Sequence, residues 1–154
     1  MTKRSADPPV KHRNLPLLLL QARDHVMSRF RPILNRHGVT EQQWRIVRLL
    51  LGTGSLEPRE IGELCRISSP SLTGVLARME ELGLVSRKRF EKDQRRVSVS
   101  LTQKSRQLAV LMAPEIDATY QQLERLLGEE FCGQLYATLD QMITILKRDR
   151  QDAE

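Results

Sequence analysis

The chain of 154 residues is long enough to bury a core of its own without a metal or a disulfide. Its two cysteines, Cys65 and Cys132, lie far apart with no metal-type spacing near a histidine, which argues against a disulfide framework or zinc site and for a reducing, cytoplasmic setting. The net charge of +6 is unevenly shared: residues 1 to 102 hold 19 basic and 10 acidic side chains (+9), whereas 103 to 154 hold 6 and 9 (−3), so one part suits a polyanion and another suits a different task.

Residues 1 to 14 are polar and basic and are expected to form a flexible arm. From Pro16 an apolar stripe through Leu20, Met27, Phe30 and Leu34 predicts a helix that ends near Gly38, with Arg23 standing where an apolar residue belongs. Thr40 and Gln43 make a capping box for a second helix that buries Trp44, Val47 and Leu51 and stops at Gly52. A short third helix, "EPREIGELCR", turns Ile61, Leu64 and Cys65 inward. In "ISSPSLTGVLARMEELG" Ser69 is the expected N-cap, Pro70 suits the first helical position, and Leu72, Val75, Leu76, Met79 and Leu82 form the buried stripe.

The period then changes from 3.6 to 2. "GLVSRKRF" and "RRVSVSLT" read as two strands flanking a charged turn. A long helix, expected to bend at Pro114 because proline removes a backbone donor, follows, and a last helix carries Phe131, Leu135, Leu139, Met142 and Leu146 on a seam that wants a partner helix. No apolar run has the length of a membrane span, so no membrane partner is expected.

This order of elements spells a mainly α fold with a small β-hairpin wing, a winged helix-turn-helix joined to a helical dimerisation region. The expected division is a flexible arm (1–14), a first helix for dimerisation and a pocket (15–38), the DNA-binding domain (39–102) and C-terminal dimerisation helices (103–150). On the candidate recognition helix Ser69, Pro70, Ser71, Thr73 and Gly74 are small or hydrogen-bonding and permit close approach to a groove, with Arg78 further along. Six cations, Arg87, Lys88, Arg89, Lys92, Arg95 and Arg96, crowd the hairpin, where they can reach phosphates and release counterions. Arg95 is placed at the tip for the minor groove. Asp93 either pairs with a neighbouring arginine or caps its own turn.

"SPSLTGVLARMEELGLVSR", the wing "DQRRVSVSLT" and the flanking helices resemble the MarR family of winged-helix regulators over nearly the whole chain. "LLQARDHVMSRFRPILNRHGVTEQQWRIVR" looks like the branch that regulates homoprotocatechuate degradation. The resemblance implies a homodimeric repressor on a near-palindromic double-stranded operator, released by a small aromatic acid of the hydroxyphenylacetate, homoprotocatechuate or hydroxynicotinate type. One departure is Ser105, where the family often has glycine. The same fold without an effector is the alternative.

Arg23 is either a carboxylate clamp for such an acid or half of an ion pair between subunits, with Asp24 or an acid of the last helix as partner. Arg13 is a second candidate cation, Met27 and Trp44 are candidate apolar walls, and His25 or Ser28 candidate ring-hydroxyl partners. For Trp44 plain core is the leading reading and ligand wall the second. No nucleophile elbow, phosphate loop or metal spacing is present, so no catalytic residue, metal or cofactor is expected.

Overall fold

A computed structural model describes residues 10–153, so most of the arm expected over 1–14 lies outside the described residues. Helix α1 (Leu15–Arg36) begins where Asn14 Oδ1 accepts the Leu17 N–H at 3.0 Å, with Pro16 in the first turn. Only its C-terminal half buries side chains, namely Phe30, Ile33 and Leu34. Leu20, expected inside, is exposed together with Leu15, Leu17 and Leu19.

Helix α2 (Glu41–Thr53) carries the expected capping box, the Gln43 N–H donating to Thr40 Oγ1 and the Thr40 N–H to Gln43 Oε1, each at 3.1 Å. Its buried face is Gln43, Ile46, Val47 and Leu50. Leu51 is exposed because the stripe is centred on Ile46 and Leu50, and the helix runs on past Gly52 to Thr53. Strand β1 (Ser55–Leu56), unforeseen from the sequence, precedes helix α3 (Pro58–Cys65), which buries Ile61 and Cys65 and leaves Leu64 exposed.

Helix α4 (Ser69–Glu81) has Ser68 at its N-cap position, one residue earlier than expected and without a side-chain cap bond, with Leu72, Leu76 and Met79 buried. Strands β2 (Val85–Arg89) and β3 (Val97–Leu101) pair antiparallel from Val85↔Leu101 to Arg89↔Val97, and β1 adds to the other edge of β3, giving the order β1-β3-β2.

Helix α5 (Gln103–Leu127) continues through Pro114, and helix α6 (Glu129–Asp152) follows Gly128. Ser105 explains its own departure from the family pattern. Its N–H lies 3.3 Å from Thr102 Oγ1, its hydroxyl donates to the Thr102 carbonyl at 3.0 Å, and it is fully buried in the α5 cap.

Two apolar cores result. The larger joins α2, α3, α4 and the sheet through residues such as Ile46, Leu50, Ile61, Leu76, Met79 and Val99. The smaller joins α1 to α5 through Phe30, Leu34, Val39, Met112 and Ile116, and Trp44 packs against both. Complete burial of one such aliphatic side chain contributes about 1.5–3 kcal/mol, and the larger core joins α4 to the hairpin's inner end at Val85, Val99 and Leu101. Helix α6 buries only Cys132; Phe131, Leu135, Tyr136, Ile143, Ile145 and Leu146 are exposed.

Candidate nucleic-acid interface and effector cavity

The turn between α3 and α4 determines where α4 points. Arg66 takes the left-handed conformation (φ 54°, ψ 48°), and the Ile67 N–H donates to the Gly62 carbonyl at 3.0 Å. A Cβ on Gly62 would lie 3.2 Å from both the Ile67 carbonyl oxygen and Leu72 Cδ2, so the two helices meet there without an intervening side chain.

With Leu72, Leu76 and Met79 held inward, Ser69, Pro70, Ser71, Thr73, Gly74, Ala77 and Arg78 all face out. The Thr73 hydroxyl donates to the Ser69 carbonyl at 3.1 Å and the Ser68 hydroxyl to Ser71 Oγ at 3.0 Å, while Arg78 pairs with Glu81 at 3.1 Å. A Cβ on Gly74 would meet nothing within 4 Å. That surface is smooth and open.

Beside it stands the wing. Arg87 of β2 lies 3.3 Å from Glu80 of α4 and lines one groove with Ser69 and Thr73, so hairpin and helix share a side. The loop closes through Phe90 N–H to Arg96 O and Arg96 N–H to Asp93 O, both 3.1 Å. Asp93 combines its two expected roles: Oδ1 accepts the Arg95 N–H at 3.0 Å and lies 3.6 Å from Arg95 Nε.

The six wing cations are not alike. Arg95 is 95% exposed at the tip, and Lys88 and Lys92 are exposed without an ion-pair partner among the described residues. Arg89 instead donates to the Gln94 carbonyl at 2.6 Å, and Arg96 folds back onto Glu57 and the ring of Phe90.

Of the candidate effector residues, Arg13 is exposed ahead of α1. Arg23 pairs with Glu41 of its own chain at 2.9 Å. Arg31, which the sequence did not single out, bridges Asp24 and Glu41 at 2.6 Å each, and its hydrogen bonds hold both carboxyls below their ordinary range. His25 is exposed and its carbonyl takes the Ser28 hydroxyl at 2.7 Å; Met27 is half-buried against the smaller core and Trp44 against both.

A different cavity gathers polar and aromatic groups between α2, α5 and α6, lined by Arg48, Asp117, Tyr120, Gln121, Glu124 and Tyr136. The Arg48 guanidinium stands 6.0 Å from the Tyr120 ring centroid, and Tyr120 meets Phe30 at 4.9 Å with the rings tilted by 53°. The only sequence signal was a cation one turn beyond Trp44, and its tyrosine lies on another helix. Burial pushes the Cys65 thiol up, against a smaller opposing pull from Arg45. Among the described residues no three His, Cys, Asp or Glu side chains gather to hold a metal. No described helix is long and apolar enough to cross a membrane.

A turn-linked helix pair with a smooth exposed face beside a cationic hairpin defines a winged helix-turn-helix of the DNA-binding kind. Residues 37–96 match the model of the MarR family. The chain is 40% identical over 92% of its length to the homoprotocatechuate degradative operon repressor of Escherichia coli, covering 95% of that protein. It superposes on the crystal structure of transcriptional regulator PA4135 with a TM-score of 0.85 at 46% identity, covering 87% of this chain and 98% of that one. On NadR in complex with 4-hydroxyphenylacetate the TM-score is 0.77 at 40% identity, over 88% and 96% of the two chains. This chain belongs to the MarR family of transcriptional regulators.

Proposed function

We propose that the protein is a homodimeric repressor that binds a near-palindromic operator and is released by a small hydroxylated aromatic acid, in control of aromatic catabolism. The observation that carries the DNA reading is the side shared by α4 and the wing, where Arg87 lines one groove with Ser69 and Thr73, while Arg95 stands exposed at the hairpin tip. The dimer reading is supported by apolar residues left exposed on the first half of α1 and along α6. A two-fold pair places two α4 helices at half-sites about one helical turn, ~34 Å, apart.

The effector reading rests on Arg48. It lines an open, mostly polar depression with Tyr120 and Tyr136, shared with Asp117 and Glu124, whereas Arg23 is already paired with Glu41. A carboxylate on Arg48 with the acid's ring against Tyr120 is the arrangement these groups favour. The names of the Escherichia coli repressor and of the NadR complex point to the same class of acid.

The test is fluorescence anisotropy of a labelled duplex selected from a random library, titrated with 4-hydroxyphenylacetate, homoprotocatechuate and 6-hydroxynicotinate. Release by at least one acid at micromolar to millimolar concentration is expected. Tight, salt-dependent binding untouched by the whole panel would favour the alternative, a regulator of this fold without an effector. Absence of salt-dependent binding to any duplex would end the DNA reading.

A further inference from the structure

We propose that Glu57 and Arg96 form a latch that sets the angle of the wing against the helix-turn-helix, which makes Arg96 a positioning residue for operator recognition instead of a phosphate contact. This rests on the DNA-binding reading above. Arg96 Nε donates to Glu57 Oε1 at 2.9 Å, Nη2 reaches the same oxygen, and the guanidinium carbon lies 4.6 Å from the centre of the Phe90 ring. Two of its nitrogens and its contact with the Phe90 ring are therefore engaged within the protein, while the side chain stays 55% exposed.

The two ends of the latch sit where they can control geometry. Arg96 and Phe90 are the residues at which the strands of the wing part, joined by the backbone bond from Phe90 N–H to Arg96 O. Glu57 lies directly between β1, which is paired to β3, and α3, the helix that leads through the Arg66 turn into α4. Its own N–H is fixed by Glu60 Oε2 at 2.8 Å, so its carboxylate starts from an anchored backbone. The pair thus links the root of the wing tip to the start of the helix-turn-helix across 39 residues of sequence.

Charge gives the proposal a sign that a bland reading does not share. An acid beside a polyanion site repels phosphate, so removing the charge of Glu57, which also caps α3, should by charge alone tighten DNA binding. A latch predicts the reverse.

The experiment measures affinity of the full-length protein for the library-selected duplex and for a random-sequence duplex across a salt series. The variants are Glu57→Gln, Arg96→Ala, the double variant and Arg95→Ala, with thermal melting as a check on folding. Glu57→Gln is expected to weaken the selected duplex on the order of tenfold, comparable to losing one base contact, with the salt slope unchanged and random-duplex affinity equal or slightly higher. Arg96→Ala should match it, and the double variant should be no weaker than either single change. Arg95→Ala should instead lower the slope by about 0.9 and weaken both duplexes. Unchanged or tighter operator binding by Glu57→Gln would overturn the latch, as would an Arg96→Ala variant whose slope falls like that of Arg95→Ala. If the unaltered protein binds no duplex in a salt-dependent way, the DNA-binding reading fails first and is seen to fail separately.

Discussion

Arg23 and Arg48 stand in opposite electrostatic conditions. Arg23 shares Glu41 with Arg31, so a ligand carboxylate would have to displace a charge-assisted contact that already exists. Arg48 stacks toward Tyr120 and has no carboxylate within ion-pair distance among the described residues. Arg48→Gln should therefore remove the melting-temperature rise produced by a saturating aromatic acid, a stabilisation of about 2.7 kcal/mol at a hundredfold excess over Kd. DNA affinity without the acid should stay within a few-fold. Arg23→Gln should keep the ligand shift; if it alone abolishes the shift, the site lies on α1.

The elements make their own predictions. Gly62 and Gly74 both look like helix weaknesses on paper, since alanine is favoured in a helix interior by roughly 0.5–1 kcal/mol. A Cβ at Gly62 would press on Ile67 and Leu72, so Gly62→Ala should destabilise the fold by about 1–3 kcal/mol in urea unfolding. At Gly74 the added methyl meets only open space, so Gly74→Ala should raise stability, and a loss of operator affinity there would report a duplex seated against the backbone.

Periodicity and caps made the helices, the hairpin and the outward face of α4 legible, because each depends on residues within a few positions of one another. The misses came where a local rule had no purchase. A two-residue strand shows no alternation, which hid β1, and a stripe about one residue wide in its uncertainty put Leu51 inside in place of Leu50. Arg23 with Glu41, Arg96 with Glu57 and Arg48 with Tyr120 are joined by folding alone, so the partner that decides each arginine's role was invisible from its neighbours.

At the scale of the molecule, a single chain leaves Leu135, Tyr136, Ile145 and Leu146 of α6 in water together with Leu17 and Leu20 of α1. Substituting Leu135→Asp together with Leu146→Asp should convert a dimer to monomers in sedimentation and abolish operator binding, while α2 to β3 keep their melting signature. Acid should act on the ion pairs. Asp24, Glu41 and Glu57, held down by arginines, and Glu115, held down by His37 and Arg36, all have folded-state pKa values below their ordinary ones. The stability they contribute is complete above the ordinary carboxyl value, 4.5 for glutamate, and is lost as pH falls through the depressed folded values. Unfolding free energy should thus stay level down to that point and then drop, and Glu41→Gln should make the drop shallower.

Helix α5 begins at the foot of the wing and passes the Arg48 cavity at Tyr120 without interruption. From Gln103 to Tyr120 a helix rising 1.5 Å per residue spans about 25 Å, so a tilt of about 5° pivoting at the tyrosine swings the hairpin's root by roughly 2 Å. Were the proposed acid to tilt α5 by that much, a guanidinium would leave hydrogen-bond reach of its phosphate, and the helix would act as a lever between a molecule-sized cause and a groove-sized effect.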